Sequence, residues 1–120
     1  ESFEYVSLQK DVRASDIVAL ESNGTIRHFG DRLKHFGDTA ALCELMDIVI
    51  SVDTSVAHLS GALGRPTWVL LPYVPDWRWL LERDDSPWYP SVRLYRQDSD
   101  REWAKVLCSV RAELVRFVAC

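Results

Sequence analysis

The chain has 120 residues, of which 48% are hydrophobic and 27% are charged, and its formal net charge is −4. This length and composition predict one globular domain whose core needs neither disulfides nor a metal. The acidic balance argues against nucleic acid and against an anionic membrane surface as partners. We see no signal peptide and no apolar stretch that is long enough to span a membrane.

The three cysteines, Cys43, Cys108 and Cys120, form no Cys-x-x-Cys pair, and their odd number leaves one unpaired in any disulfide scheme. Cys43 and Cys108 fall on helical patterns among apolar neighbours, so we expect buried thiols in a reducing cytoplasm. The chain lacks a start Met and begins almost at once with a strand pattern. We therefore expect it to be a piece of a longer protein.

The N-terminal third of the chain predicts two strands and a helix. Residues 3–9 carry aromatic and β-branched residues in rough alternation along the segment, which is typical of a strand, and residues 25–29 predict a second, short strand. The stretch 10–22 is mixed and predicts no regular element. Asp38 is expected to be the N-cap of a helix over residues 39–46.

The middle of the chain predicts a strand, a helix and a strand, over residues 48–52, 56–63 and 67–71. Gly64 is the expected left-handed terminator of the helix, and Pro66 prevents its continuation. Both strands are apolar without alternation, which predicts parallel neighbours covered on both faces. A strand over 92–96 and a helix over 100–119 complete an α/β fold with three layers, α/β/α, around a mostly parallel sheet.

The turn after the first of these strands carries the chemistry. Asp53, Thr54 and Ser55 follow the carboxyl end of a buried strand, where open α/β sheets bind their ligands. The same residues open a helix whose first amides lack intrahelical partners and whose dipole favours an anion. His58 lies one helical turn further on. The sequence therefore predicts a phosphate site at the turn of Asp53, Thr54 and Ser55.

The pattern Asp-Thr-x-x-x-His-Leu-x-x-Ala-Leu-Gly-x-Pro, over residues 53–66, resembles the nucleotide-sugar site of heptosyltransferase-type glycosyltransferases, glycosyltransferase family 9. Further stretches resemble the branch of that family found in bacterial tetratricopeptide-repeat proteins: residues 5–9, 38–42, 51–54, 71–73 and 76–80. The commoner family pattern has Gly where this chain has Ser55. Ser55 is expected to narrow the pocket or to replace a backbone contact by its hydroxyl.

The resemblance implies a Rossmann-like domain, the C-terminal half of a two-domain GT-B fold, truncated at its N-terminal end. By this reading, residues 1–120 are one domain that binds the nucleotide-sugar donor. The general base, and with it the carbohydrate or protein acceptor, belongs to a first domain outside this chain, so the fragment alone is predicted to be inactive. We also expect the strand over 3–9 to pair directly with the strand over 48–52, or with a second copy in a homodimer.

The resemblance assigns His58 to the donor diphosphate, whereas an apolar helix by itself favours a packed, satisfied histidine. Thr54 and Ser55 offer hydroxyls and amides to the same oxygens, and Asp53 is expected to bond the turn backbone. Tyr73, Asp76, Trp77 and Arg78 are candidates for a sugar or base pocket, although the tryptophan-rich segment also fits plain packing. Asp84 and Asp85 suggest solvated acids rather than a metal pair. No cofactor and no metal are predicted.

Two functions stay open at this point. One is the donor-binding half of an inverting, metal-independent glycosyltransferase in a bacterial cytoplasm. The other is a non-catalytic module with a glycosyltransferase-like fold, which serves as a docking or capping domain of a tetratricopeptide-repeat protein. Asp53, Thr54 and His58 favour the first, and Ser55 leaves room for the second.

Overall fold

A computed structural model describes residues 3–9, 14–22, 26–74, 83–86 and 89–119. The chain divides into two compact units, residues 1–45 and residues 46–120. Each unit has its own parallel sheet, with strand order β1-β2 in the first and β3-β4-β5 in the second. The α/β class with parallel strands is thereby confirmed.

In the first unit, β1 (Tyr5–Ser7) and β2 (Ile26–His28) are parallel, with Val6 opposite Arg27. Helix α1 (Ala14–Ser22) lies between them in the chain, and the sequence analysis did not predict it. Strand β1 thus pairs along one edge with β2, and its expected pairing with the strand over 48–52 or with a second copy stays a prediction. A 3-10 helix (Gly30–Arg32) then leads towards α2 (Phe36–Glu44).

Helix α2 begins three residues before the predicted start, with His35 rather than Asp38 at the N-cap position. Asp38 lies in the first turn, where its Oδ2 accepts hydrogen bonds from the amides of Lys34 and His35, each at 3.0 Å. An acidic side chain that reaches back to amides ahead of the helix is half of a capping box. The prediction placed the right residue at the helix start but in the wrong capping position.

The second unit contains β3 (Val49–Val52), α3 (Ser55–Ala62), β4 (Thr67–Leu71), β5 (Val92–Arg96) and α4 (Trp103–Ala119). The bounds of β4 and β5 are those predicted. Strand β4 is central and parallel to both neighbours: Val69 lies opposite Ser51 on one side and opposite Leu94 on the other. Gly64 has φ +73° and ends α3 as expected.

Two apolar clusters lie on opposite faces of this sheet, because successive residues of a strand point to opposite faces. Helix α3 contributes to one cluster and α4 to the other, which gives this unit the predicted α/β/α layering. The first cluster contains Ala57, Val69, Leu71, Val92 and Leu94. The second contains Trp68, Leu70, Tyr95, Val106 and Val110.

Some burial predictions are wrong. Strand β3 was expected to be covered on both faces, but Ile50 is 40% exposed and Val52 is 48% exposed. Among the strands that the structure describes, β4 alone is buried along its whole length. Cys43 is buried, as expected, and burial raises the pKa of its thiol, whereas Cys108 is exposed on α4 beside the exposed Leu107. Over the described ranges, the helices are too short or too polar to cross a membrane.

Candidate functional site

The turn from β3 to α3 is held by hydroxyl groups. Ser51 Oγ lies 2.8 Å from Val52 O and 3.0 Å from Thr54 Oγ1. Since Ser51 has one hydroxyl hydrogen and donates it to the carbonyl, the Thr54 hydroxyl is the donor to Ser51. Thr54 occupies the N-cap position, but its side chain bonds Ser51 and does not cap the helix.

The first amides of α3 face an open helix end. The amide of Ala57 donates to Thr54 O at 3.1 Å, which is the first backbone bond of the helix. The two amides before it, of Ser55 and Val56, lie ahead of any intrahelical acceptor. The Ser55 side chain is exposed next to them. Two amides and one hydroxyl at a helix N-terminus are donors that suit an anion.

His58 lies one turn into α3, and each of its two ring nitrogens takes part in a hydrogen bond. Nε2 lies 3.3 Å from Asp53 Oδ1, and Nδ1 lies 3.2 Å from the hydroxyl of Tyr89. The side chains are partly buried, with 31% of His58 and 27% of Asp53 exposed. Asp53 therefore contacts His58, a bond that the sequence analysis did not predict for either residue.

Tyr89 is the site residue that sequence reasoning missed. It precedes β5, at the amino end of that strand, whereas the ligand sites of open α/β sheets lie at the carboxyl ends of the strands. Its ring reaches His58 along α3, with ring centroids 5.8 Å apart. The one local signal was Gly61: a Cβ there would lie 2.8 Å from Tyr89 Cγ, so a glycine makes room for the ring.

The predicted sugar or base pocket is described only at Tyr73, because Asp76, Trp77 and Arg78 lie outside the described residues. The amide of Tyr73 donates to Gln97 Oε1 at 3.0 Å, and the Arg101 guanidinium lies 5.4 Å from the Tyr73 ring centroid. Gln97 Nε2 in turn donates to Arg101 O at 3.1 Å. These contacts place one aromatic ring and one cation at the carboxyl side of β4 and β5.

The acidic pair in the loop before β5 has other partners. Asp85 makes two bonds with Arg83, at 2.6 Å and 2.9 Å, and this contact holds the pKa of Asp85 below its ordinary value. The Asp84 carbonyl accepts from the amide of Leu94 at 2.7 Å. Within the described part of the chain, no three His, Cys, Asp or Glu side chains come together as a metal site.

Comparison with known proteins gives one similarity of limited extent. The chain is 34% identical over 82 residues, or 68% of its length, to Protein FlbA of Caulobacter vibrioides. The match spans only 13% of the length of FlbA. No protein-family model matches the chain, and no solved structure matches it. The sequence similarity thus relates the chain to a short part of a much longer bacterial protein.

Proposed function

We propose that this chain is the nucleotide-sugar donor-binding region of a metal-independent glycosyltransferase. The observation that carries the proposal is the open N-terminus of α3 at the carboxyl end of β3, in a parallel sheet that has one helix on each face. Crevices at the carboxyl ends of such strands bind nucleotides. The resemblance of the motif over residues 53–66 to the nucleotide-sugar site of glycosyltransferase family 9 supports the proposed substrate class.

In this proposal, the donor diphosphate accepts hydrogen bonds from the amides of Ser55 and Val56 and from the Ser55 hydroxyl. The leaving nucleoside diphosphate gains negative charge as its bond to the sugar breaks, so donors that are fixed beforehand stabilise the transition state. The acceptor and its general base belong to a region outside this chain. The chain by itself is proposed to bind the donor and not to transfer the sugar.

The second candidate, a non-catalytic docking or capping module, has one observation in its favour. Both ring nitrogens of His58 already have partners, Asp53 and Tyr89. A direct bond from His58 to a diphosphate oxygen requires that one of these bonds be given up. A purely structural histidine needs no such change.

Amide NMR titration of the chain with ADP and with UDP separates the two candidates. Donor binding is expected to shift the amides of residues 53–58 before all others, with inorganic pyrophosphate reproducing the shifts near Ser55 and Val56. Adenosine, which lacks the diphosphate, serves as the control and is expected to leave these amides unchanged. No shift at about millimolar nucleotide, or shifts confined to other segments, would favour the non-catalytic module.

A further inference from the structure

Side chains from the turn after β3, from α3 and from the loop before β5 meet at the His58 ring. Asp53 belongs to the turn after β3, His58 to α3, and Tyr89 to the loop before β5. The two bonds that join them measure 3.3 Å and 3.2 Å. Tyr89, 31 residues after His58, is therefore linked through one imidazole to the turn that carries the candidate phosphate donors.

Tyr89 is itself held in place by backbone and side-chain contacts. Its amide donates to Ser86 Oγ at 3.2 Å, and its carbonyl accepts from the amide of Val92 at 3.1 Å. Its ring packs against the apolar cluster beneath α3 and against the Cα of Gly61. The ring fixed in this way carries its hydroxyl to 3.2 Å from Nδ1 of His58.

Hydrogen-bond accounting fixes the direction of both bonds. The Asp53 carboxylate has no hydrogen to give, so His58 Nε2 donates to it. A neutral imidazole carries one N–H, and the other nitrogen accepts. Nδ1 therefore accepts from the Tyr89 hydroxyl, and the preferred tautomer of neutral His58 carries its proton on Nε2.

We propose that Tyr89 is the positioning residue of this site. Its hydroxyl donates to Nδ1 and holds the His58 ring in the orientation in which Nε2–H donates to Asp53, and His58 in turn holds Asp53 and the turn whose amides receive the diphosphate. His58 acts on the ligand through the turn, not as a direct donor. The ligand part of this inference rests on the proposed function, whereas the Tyr89–His58–Asp53 part does not.

The first test measures the ring nitrogens of His58 by ¹⁵N NMR at about pH 8, where histidine is ordinarily neutral. In the unchanged chain we expect the ring proton on Nε2, and we expect Nδ1 to carry no proton and to accept a hydrogen bond. Tyr89→Phe keeps the ring and removes the hydroxyl, so the Nδ1 resonance is expected to shift as this hydrogen bond is lost, while the Asp53 carboxylate keeps the proton on Nε2. A proton on Nδ1 in the unchanged chain overturns the proposal, even if the variant does not fold.

Tyr95→Phe is the matched control, because Tyr95 lies in the cluster on the other face of the same sheet. It removes the same hydroxyl from a tyrosine of the same unit and is expected to leave both His58 nitrogens unchanged. A folded Tyr89→Phe chain whose His58 spectrum matches that of Tyr95→Phe overturns the proposal.

The second test repeats the ADP titration with both variants. We expect Tyr89→Phe to bind ADP about fivefold more weakly, which corresponds to the loss of one ordinary hydrogen bond, and Tyr95→Phe to bind as the unchanged chain does. Equal affinity in all three chains refutes the positioning role while the donor site stands. If the unchanged chain binds no nucleotide, the proposed function fails, and the ¹⁵N spectra still decide the role of Tyr89.

Discussion

At the scale of single residues, Gly61 within α3 and Gly64 just after the helix are required for different physical reasons. Gly64 adopts φ +73°, and an added Cβ there meets nothing within 4 Å. Gly61 has an ordinary helical conformation, but its Cβ would lie 2.8 Å from Tyr89 Cγ and 3.0 Å from Val92 Cγ2. One glycine answers a backbone requirement, and the other answers a packing requirement.

Alanine substitutions are expected to separate these two requirements. Gly64→Ala strains only the backbone and should cost about 1 kcal/mol of unfolding free energy. Gly61→Ala pushes the Tyr89 ring away from α3 and should cost about 1–3 kcal/mol, as overpacking does. Urea unfolding measures both costs, and NMR of the His58 ring should change only in Gly61→Ala. A Gly61→Ala chain with the stability and the His58 spectrum of the unchanged protein contradicts the packing argument.

A substitution at Tyr95 is expected not to lower the stability of the chain, in contrast to the two glycine substitutions. Its hydroxyl is buried and has no hydrogen-bond partner among the residues that the structure describes. Burial raises the pKa of its phenol above the ordinary value, although Arg93 opposes the rise. Tyr95→Phe removes this unpaired group and is expected to leave stability unchanged or to raise it by about 1 kcal/mol. A loss of stability in urea at neutral pH would show that the hydroxyl has a partner.

The raised pKa also predicts a pH dependence. The folded state disfavours the phenolate, so this contribution to stability is present below the ordinary tyrosine value of about 10 and is lost as the pH rises through the folded pKa. Tyr95→Phe is therefore expected to lose less stability at alkaline pH than the unchanged chain. Thermal unfolding at a series of pH values measures the difference, and parallel curves for the two chains would contradict it.

At the scale of elements, the start of α3 allows one donor to be removed without breaking the helix. Thr54 has φ −138° and ψ 173°, an extended conformation that suits the residue before a proline. Proline is also well tolerated at the first helical position, because the amide there has no intrahelical partner. Ser55→Pro should therefore keep α3 while it deletes one amide N–H and the hydroxyl.

We expect Ser55→Pro to weaken ADP binding by about tenfold or more, since a hydrogen bond to a charged group contributes about 1.5–3 kcal/mol. Ser55→Ala, which removes the hydroxyl alone, is the matched control and should bind more tightly than Ser55→Pro. Amide NMR reports both the affinity and the retention of α3. Equal binding by the two variants would argue that the Ser55 amide does not contact the diphosphate.

The elements also differ in how far their sequences predicted them. The bounds of β4 and β5 were predicted because each strand pattern is delimited by turn or polar residues, and β4 is buried on both faces. The exposure of β3 was not predicted. Its apolar run is similar to that of β4, but β3 lies at the edge of the described three-stranded sheet. An edge position depends on which strands lie beside it, and no local pattern records that.

At the scale of the whole molecule, residues 46–120 contain both apolar clusters and the complete β3-β4-β5 sheet. A segment with its own core is expected to fold on its own. Residues 46–120 expressed alone should therefore keep slowly exchanging amides in β4, the most buried strand. Hydrogen exchange followed by NMR measures this, with the full 120-residue chain as the reference. Exchange of β4 amides at unfolded rates would contradict it.

The sequence by itself determined the α/β class, the parallel pairing of β3 with β4, the left-handed end of α3 at Gly64 and the position of Asp53, Thr54 and Ser55 between a strand and a helix. These features follow from local composition: apolar runs, turn residues and capping positions act over a few residues. The partners of His58 were decided only by the tertiary structure. The loop before β5 lies 31 residues away, and the packing of Tyr89 against Gly61 brings its hydroxyl to Nδ1. A contact of that separation depends on strand order and helix packing, which no local pattern in the sequence encodes.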